Sequence, residues 1–478
     1  MSPRLALLIG LALLGGCATT GGIPADREEA FTYAVARLQA GDHARSAAAA
    51  WEYIRGAGPD DPRHDRALRI LALDARALGL THAAALWYLE IAESRRDPTL
   101  LPDAVRGLQQ VIEGGPHDEE TLVQGFLATS ELAGLPHDLQ AFVDYQRGLR
   151  DARQRLDAWA DDRLAAIDPR TPHAQRARWL QAVRQVARRD LEGGRAALEA
   201  LLQPPAAGAL PLPADLEADV RRALARLAME AGDHAAALAQ YEVLRQQVPD
   251  DPELLLEMAW AEFYRGDSRR TLGLLLALDA PVYQALIAPD RFLLEAMALR
   301  RLCQFGPARQ AAVRLRARHG EALDALHGGI PPAASPAVRG AARLRPRGAP
   351  LADFTALLER ESAQVDDLEG GLGDALAERL RGLYADGLAD ARRRLEAALT
   401  TEADVVAAEL LGAEENVDLI LHELGVALLR GRLRPAGPAE PATPDAEGGD
   451  VRFGFTGEFW TDELDDLVVV AEDRCIAP

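Results

Sequence analysis

The thiol of Cys17 is the side chain whose surroundings most clearly define a reaction. Arg4 gives the chain a positive start, residues 5–14 are an apolar run, and two glycines precede the cysteine. This pattern is typical of a secretory signal too short to span a bilayer permanently. Small residues let the backbone enter a peptidase cleft, and a thiol is a nucleophile that can be modified. The sequence therefore predicts processing before Cys17, with residues 1–16 as the signal.

The segment Leu14-Gly15-Gly16-Cys17 resembles the lipobox of bacterial lipoproteins. The resemblance implies that Cys17 is acylated and becomes the new N-terminus, with residues 17–30 as a tether. Several acyl chains would hold the protein durably at a membrane surface. Ala18 is not the aspartate that retains such proteins at the inner membrane, which implies the periplasmic face of an outer membrane. The alternative is an ordinary secretory signal with an incidental cysteine.

Other candidate chemistry has simpler structural explanations. His422 and Glu423 lack the second histidine of a zinc-protease helix, and residues 370–373 are glycine-rich but lack the lysine of a phosphate-binding loop. No histidine has a cysteine or another histidine at metal-binding spacing. We therefore predict no catalytic residue, cofactor, metal or small-molecule substrate.

Composition points to a helical, acidic protein. The net charge is −21, which opposes binding to nucleic acid. Hydrophobic residues make up 48% of the chain and aromatic residues only 5%. Much of the apolar content is alanine and leucine, which are strong helix formers. The predicted fold class is all-α.

Two helix pairs with matching spacing define a repeat. Gly232 is followed by small Ala237, large Tyr241 and the stop residue Pro249, and Gly266 comes 34 residues after Gly232. This pattern resembles the tetratricopeptide repeat (TPR), in which small residues let paired helices approach closely. Degenerate copies begin at three further glycines: Gly41, Gly79 and Gly306.

These copies place a TPR-like array over residues 31–327, with a possible hinge at 203–215. The phase between residues 100 and 202 is not predicted. Helix pairs of this kind bury their apolar faces only by stacking, which favours a right-handed superhelix with a concave groove. The alternative is an irregular α-helical array that shares only the periodicity.

The chain after the array divides into four parts. Residues 328–350 are predicted as a linker containing the one basic cluster, which is formed by Arg339, Arg343, Arg345 and Arg347. This cluster either touches an acidic or lipid surface or is solvated. Residues 351–433 are predicted as a long helical hairpin with a break near Thr400 and Thr401. Residues 434–449 are a Pro/Gly linker, and residues 450–478 are an acidic, aromatic tail with short strands at 451–455 and 467–470.

The tail leaves two alternatives open. Cys303 and Cys475 either form a disulfide in an oxidising periplasm or remain unlinked. The tail either docks on the helical body, because exposed aromatic side chains are costly, or adds a strand to a partner.

The run GEFWTDELDD and the terminal Arg-Cys resemble the ends of TPR lipoproteins in bacterial envelope complexes, including gliding-motility machinery. The resemblance implies a non-enzymatic scaffold that binds other envelope proteins. We expect the repeats around Tyr241, Trp260 and Tyr264 to matter, although packing between helices explains those aromatics better than contact with a partner does. An assembly factor for outer-membrane or secreted proteins is the second hypothesis, and a cell-wall hydrolase is the third.

Overall fold

The computed structural model describes residues 23–24, 26–205, 208–248, 251–283, 288–430, 457 and 467–475. The chain forms two compact units. One contains residues 1–111 and 360–385, and the other contains residues 112–359 and 386–478.

Two consecutive helix pairs form most of the first unit, and each helix packs on the next. Residues 360–385 complete this unit with the tip of a later hairpin. The helices of residues 27–114 are α1 (Arg27–Gln39), α2 (His43–Ala57), α3 (His64–Ala77), α4 (Thr81–Ser94) and α5 (Leu101–Gly114), with a 3₁₀ turn at Pro98–Leu100.

The second unit contains five further helix pairs after a π-helix at Glu119–Leu127. Within it, successive helices again pack on one another. The pairs are α6 (His137–Arg153) with α7 (Asp157–Ala165), α8 (Ala174–Ala187) with α9 (Leu191–Leu201), α10 (Ala214–Glu230) with α11 (His234–Gln247), α12 (Pro252–Arg265) with α13 (Ser268–Ala277), and α14 (Asp290–Arg301) with α15 (Phe305–His327).

Every pair is closed by one residue with a left-handed backbone. The N–H of this turn residue donates to the carbonyl three residues earlier, and the N–H of the next residue donates to the carbonyl five residues earlier, as in the Schellman motif. In the α10–α11 pair, for example, Gly232 N–H donates to the Met229 carbonyl and Asp233 N–H donates to the Ala228 carbonyl. The seven turn residues are Gly41 (φ 74°), Gly79 (77°), Arg155 (58°), Arg189 (69°), Gly232 (79°), Gly266 (103°) and Cys303 (54°).

These turns show where the helix pairs turn between residues 100 and 202, a phase that the sequence did not predict. Arg155 and Arg189 are 34 residues apart and close the α6–α7 and α8–α9 pairs. The prediction that a repeat copy begins at Gly306 is wrong, because this residue lies inside α15 and the turn residue is Cys303. A pattern built on glycine misses both cases, since arginine and cysteine occupy the strained position.

The segment after the array also differs from expectation. Residues 328–350 are not simply a solvated linker: they contain a 3₁₀ turn at Pro332–Ala334 and helix α16 (Pro336–Ala342), whose Val338 and Ala342 are fully buried. The described residues of the possible hinge, 203–215, are non-helical until α10 begins at Ala214.

The hairpin consists of α17 (Gly348–Leu372) and α18 (Asp374–Leu429), joined at Gly373 with φ 72°. The predicted break near Thr400 and Thr401 is wrong, because α18 continues through it for 56 residues in all. Both threonine hydroxyls donate to carbonyls four residues back, at 2.9 and 3.2 Å, and neither residue interrupts the backbone ladder.

The fold class is confirmed as an all-α array of helix pairs followed by a helical hairpin. The strand predicted at 467–470 is not formed, since these residues run along helix α13 rather than beside another strand. The described part of the tail has an isolated bridge residue at Cys475. The rest of the predicted strands, at residues 451–455, lies outside the described residues.

The core of the second unit shows why the repeat residues have their sizes. Ala237 is fully buried and Tyr241 is 1% exposed, in a cluster that extends from α10 to α15. Ile420 and Leu424 of α18 join the same cluster, so the long helix covers the end of the array.

Replacing the turn glycine should measure the backbone constraint directly. A Cβ at Gly232 meets nothing within 4 Å, so Gly232→Ala tests conformation alone. The left-handed backbone costs an L-residue about 1–2 kcal/mol, and the smaller entropy of the unfolded alanine chain offsets about 0.5–1 kcal/mol. We expect a free energy of unfolding lower by about 0.5–1 kcal/mol in urea denaturation.

The matched variant is Arg155→Gly at an exposed turn with the same backbone. It should raise the free energy of unfolding by a similar amount. Equal effects of the same sign in both variants would contradict the turn assignment.

Burial of one carboxyl group makes the stability of the first unit depend on pH. Asp74 is fully buried in α3 and lies 2.8 Å from His43 Nδ1, and burial raises the pKa of its carboxyl to about 6 from 3.8. The folded state therefore binds this proton more tightly than the unfolded state, and the resulting stability is lost as pH rises from about 4 to about 6.

We expect the difference in free energy of unfolding between wild type and Asp74→Asn to shift in favour of the variant across this range. Urea denaturation followed by tryptophan fluorescence at pH 4, 5, 6 and 7 measures it. A difference that is independent of pH would rule out the buried carboxyl as its source.

Candidate protein-interaction surfaces

Apart from Gly306, which lies inside α15, the predicted site residues fall into four groups. Cys17 and Pro249 lie outside the described residues. Gly41, Gly79, Gly232 and Gly266 form the turns described above, and Ala237 and Tyr241 lie in the core. Cys303 and Cys475 are joined as a disulfide, with their Cα atoms 5.1 Å apart.

Of the three repeat aromatics singled out, only one is largely exposed. Tyr241 is buried packing, whereas Tyr264 is 51% exposed and stacks between His234 and the half-buried Trp260. Its ring centroid lies 5.3 Å from that of His234 and 5.8 Å from that of Trp260. The stack forms an aromatic surface beside the turn that closes the α12–α13 pair.

Residues 467–475, here called the docked tail, lie in an extended form across α13 and the α14–α15 turn. Leu467, Val469 and Ala471 pack toward the helices, while Val468 and Val470 are 55% and 57% exposed. This alternation buries one face of an extended chain without a neighbouring strand.

Five hydrogen bonds to main-chain atoms hold the docked tail. Arg269 Nε donates to the Ala471 carbonyl at 2.9 Å, and the Arg269 carbonyl accepts from Val469 N–H at 3.2 Å. The remaining three are Arg270 to the Leu467 carbonyl at 3.3 Å, Gln304 to the Glu472 carbonyl at 2.5 Å, and Arg474 N–H to the Leu302 carbonyl at 3.0 Å. The helices therefore recognise the backbone of an extended segment as well as its alternate side chains.

Gly273 makes this contact possible. A Cβ built at Gly273 would lie 1.8 Å from the Leu467 carbonyl oxygen and 2.4 Å from its carbon. The two backbones approach so closely that only glycine fits. Of the two alternatives left open for the tail, the described residues adopt docking on the body.

Elsewhere in the second unit, cavities lie between the second helices of consecutive pairs. The α7–α9 groove is a cavity of about 420 Å³ lined by residues of α7, α8 and α9, and the α9–α11 groove is one of about 210 Å³ lined by residues of α9, α10 and α11.

The predicted basic cluster is explained by α18. Arg339 donates to Glu396 at 2.7 Å, and Arg345 donates to Glu409 at 2.5 Å. Arg347 lies 3.9 Å from Glu402. Three of the four arginines therefore pair with carboxylates of the same unit, rather than being left to a solvated linker or reserved for lipid.

Helix α18 also connects both ends of the array in the second unit. Arg394 donates to Asp118 at the start of the π-helix, at 2.8 Å, and Glu423 pairs with Arg300 at the end of α14, at 2.8 Å. These two attachment points are 29 residues apart, or about 44 Å along a helix. The long helix thus sets a distance between the first and last elements of this array.

Within the first unit, the hairpin tip supplies a missing helix cap. Leu80 offers no capping side chain to α4, and Glu361 accepts instead from Thr81 N–H at 2.9 Å and His82 N–H at 3.0 Å. Tyr384 donates to the same carboxylate at 2.7 Å. Burial raises the pKa of Glu361, and these bonds to its charged form oppose that shift.

Neither a membrane-spanning helix nor a metal site is found among the described residues. Across the described ranges, we find no helix whose length and hydrophobicity would let it cross a membrane. The same residues contain no group of three or more histidine, cysteine or acidic side chains positioned to hold a metal ion.

Comparison with known proteins gives a fold likeness only. No protein-family model matches the chain, and neither does any curated protein. Two solved structures that it resembles are a tetratricopeptide repeat protein from Parabacteroides merdae and the TPR domain of P58(IPK). The first is 12% identical over 62% of this chain and 92% of that chain, with a TM-score of 0.27. The second is 13% identical over 86% and 100%, with a TM-score of 0.19.

Both TM-scores are low, so the assignment to helix pairs rests on the turns and packing of the chain itself. The signals that sequence reasoning missed are the grooves and the two arginine turns. The grooves leave no motif because their lining residues come from three helices each.

Adding one methyl group to Gly273 should release the docked tail. In Gly273→Ala the new Cβ overlaps the Leu467 backbone, and the tail must move because the helix cannot. Amide hydrogens of Val469 and Arg474 should then exchange faster in mass-spectrometric hydrogen exchange, although the disulfide keeps the tail tethered.

Gly320→Ala is the control, because Gly320 lies inside α15 with nothing near its Cβ. It should leave tail exchange unchanged and raise the free energy of unfolding by about 0.5–1 kcal/mol. Unchanged protection of the tail in Gly273→Ala would show that the contact is not needed for docking.

Proposed function

We propose that this protein is a non-enzymatic scaffold, anchored to a bacterial outer membrane through acylated Cys17, whose helix pairs bind other envelope proteins at the periplasmic face. The observation that carries the binding role is the docked tail. An extended polypeptide already lies on these helix pairs, held by main-chain hydrogen bonds and alternate apolar contacts.

The array supports this role by exposing surfaces of the kind that partners use. Tyr264 presents an exposed aromatic ring, and the α7–α9 and α9–α11 grooves lie on the same second unit. Tyrosine and tryptophan are enriched where proteins bind one another.

Buried ionisable groups in the described residues support the non-enzymatic part of the proposal. Glu361 caps α4, and Asp118 caps the π-helix while pairing with Arg394. Both of these carboxylates are satisfied by structural donors, which is what a rigid scaffold requires.

The membrane anchor is tested by replacing one thiol. In bacteria expressing the full chain, Cys17→Ser should move the protein from the membrane pellet to the soluble fraction, because attachment depends on acyl chains at that sulfur. Cys475→Ser controls for loss of a cysteine and should stay in the pellet. A Cys17→Ser protein that remains equally membrane-bound would contradict the anchor.

Co-purification of the wild-type chain from detergent-solubilised membranes tests the scaffold role. One partner recovered in a fixed ratio supports a scaffold. Many partners in small amounts would instead support the assembly-factor hypothesis, and release of soluble fragments from purified cell wall would support the hydrolase.

A further inference from the structure

We propose that the disulfide between Cys303 and Cys475 is a redox switch, which a dithiol reductant opens in the folded protein so that the docked tail leaves α13. The inference goes beyond the proposed scaffold function and does not depend on the membrane anchor. It starts from the position of the disulfide, which joins the end of the docked tail to the turn between α14 and α15.

The helix pair that carries the disulfide is held together by other contacts. Cys303 N–H donates to the Arg300 carbonyl at 2.9 Å, and Gln304 N–H donates to the Leu299 carbonyl at 2.9 Å, so backbone bonds close this turn. Helices α14 and α15 also bury residues in one core cluster. Opening the disulfide therefore leaves this pair folded and frees only the end of the tail.

The docked tail depends on the disulfide because its other contacts are few. Residues 467–475 are all fixed, and fixing the backbone of one residue typically costs more free energy than one hydrogen bond contributes net. The opposing contacts are the main-chain hydrogen bonds described above and three apolar side chains, none of them fully buried, of Leu467, Val469 and Ala471. A crosslink makes docking favourable by holding the tail beside its site.

The disulfide is open to a reductant while the protein is folded. Cys303 lies on a turn between helices, and both cysteines are partly exposed. The residues before Cys475 include the exposed Glu472 and Asp473. A small dithiol therefore reaches the bond without unfolding of the helices.

The reaction is thiol–disulfide exchange with a dithiol. One thiolate of the dithiol attacks a sulfur of the disulfide, forms a mixed disulfide with that cysteine and releases the other cysteine as a thiolate. The second thiolate of the dithiol then attacks the mixed disulfide and releases the remaining cysteine. Both released thiolates take up protons, so the cysteine pair gains two electrons and two protons while the dithiol becomes a disulfide.

Opening the disulfide uncovers a strip of α13 and the α14–α15 turn. Gly273 then no longer contacts the tail backbone, and the side chains of Arg269 and Gln304 lose the tail carbonyls to which they donate. The tail stays attached to α18 through residues 431–466, so reoxidation restores the docked state. The redox state of one disulfide therefore sets whether this surface is covered or open.

The test compares the full chain, purified in detergent without denaturant, before and after treatment with dithiothreitol. We expect two additional thiols by alkylation, and about tenfold faster exchange of the Val469 and Arg474 amide hydrogens in mass-spectrometric hydrogen exchange on the reduced chain before alkylation. Exchange within α10, α11, α14 and α15 should stay unchanged. Cys475→Ser should show the fast tail exchange without reductant and no response to it.

A matched pair of glycine variants tests whether docking and the disulfide are coupled. If docking brings the two sulfurs together, a change that weakens docking must favour the dithiol form by the same factor. Gly273→Ala, whose Cβ overlaps the Leu467 carbonyl, should shift the equilibrium in a dithiothreitol redox buffer about tenfold toward the reduced pair, as for loss of one or two hydrogen bonds. Gly320→Ala should leave that equilibrium unchanged.

Several results would overturn the inference. Reduction that occurs only in denaturant, or that also speeds exchange within α14 and α15, would make the disulfide a permanent structural crosslink. Unchanged protection of the tail in the reduced chain would show that the non-covalent contacts hold it alone. An equilibrium equal in Gly273→Ala and wild type would show that docking and the disulfide are independent.

Discussion

A single left-handed residue at the end of each first helix is the constraint on which this structure depends. It turns the chain sharply enough for the two helices of a pair to pack, and its Schellman hydrogen bonds satisfy carbonyls that the helix would otherwise leave open. Because the same turn recurs from Gly41 to Cys303, successive pairs within each unit stack in the same way. The grooves between second helices are a direct consequence of that repetition.

Helix α18 joins the two ends of the array in the second unit. A stack of helix pairs makes contacts only between neighbours, so its two ends are independent unless something joins them. The ion pairs of Arg394 with Asp118 and of Arg300 with Glu423 provide that link over about 44 Å. The basic cluster after the array serves the same helix, since Arg339 and Arg345 pair with its carboxylates. Charges that look like an interaction motif in sequence are here used within the fold.

The docked tail is an example of peptide recognition within this chain. The side chains of Arg269 and Gln304 donate to main-chain carbonyls of the tail, so these bonds do not depend on the tail's sequence. The alternate apolar contacts do depend on that sequence, and the close approach of the two backbones depends on the missing side chain at Gly273. The disulfide between Cys303 and Cys475 fixes the end of the tail beside a turn residue. A scaffold can use the same combination toward partners, with the backbone bonds giving affinity and the pockets giving selectivity.

The sequence by itself determined the helical class and the repeats at Gly232 and Gly266, because glycine spacing and apolar periodicity are local properties of the chain. It predicted a helical hairpin within residues 351–433 but placed the turn near Thr400 and Thr401 instead of at Gly373. It also supplies the whole case for modification of Cys17, which lies outside the described residues. Only the tertiary structure decided the rest. Arg155, Arg189 and Cys303 adopt left-handed turns without the residue that usually marks them, since stacking compensates for the backbone strain. Residues 467–470 have a strand-like sequence but lie on a helix, because an extended segment takes the partner that the fold places beside it. The grooves and the span of α18 join residues distant in the chain, and no local pattern records such distances.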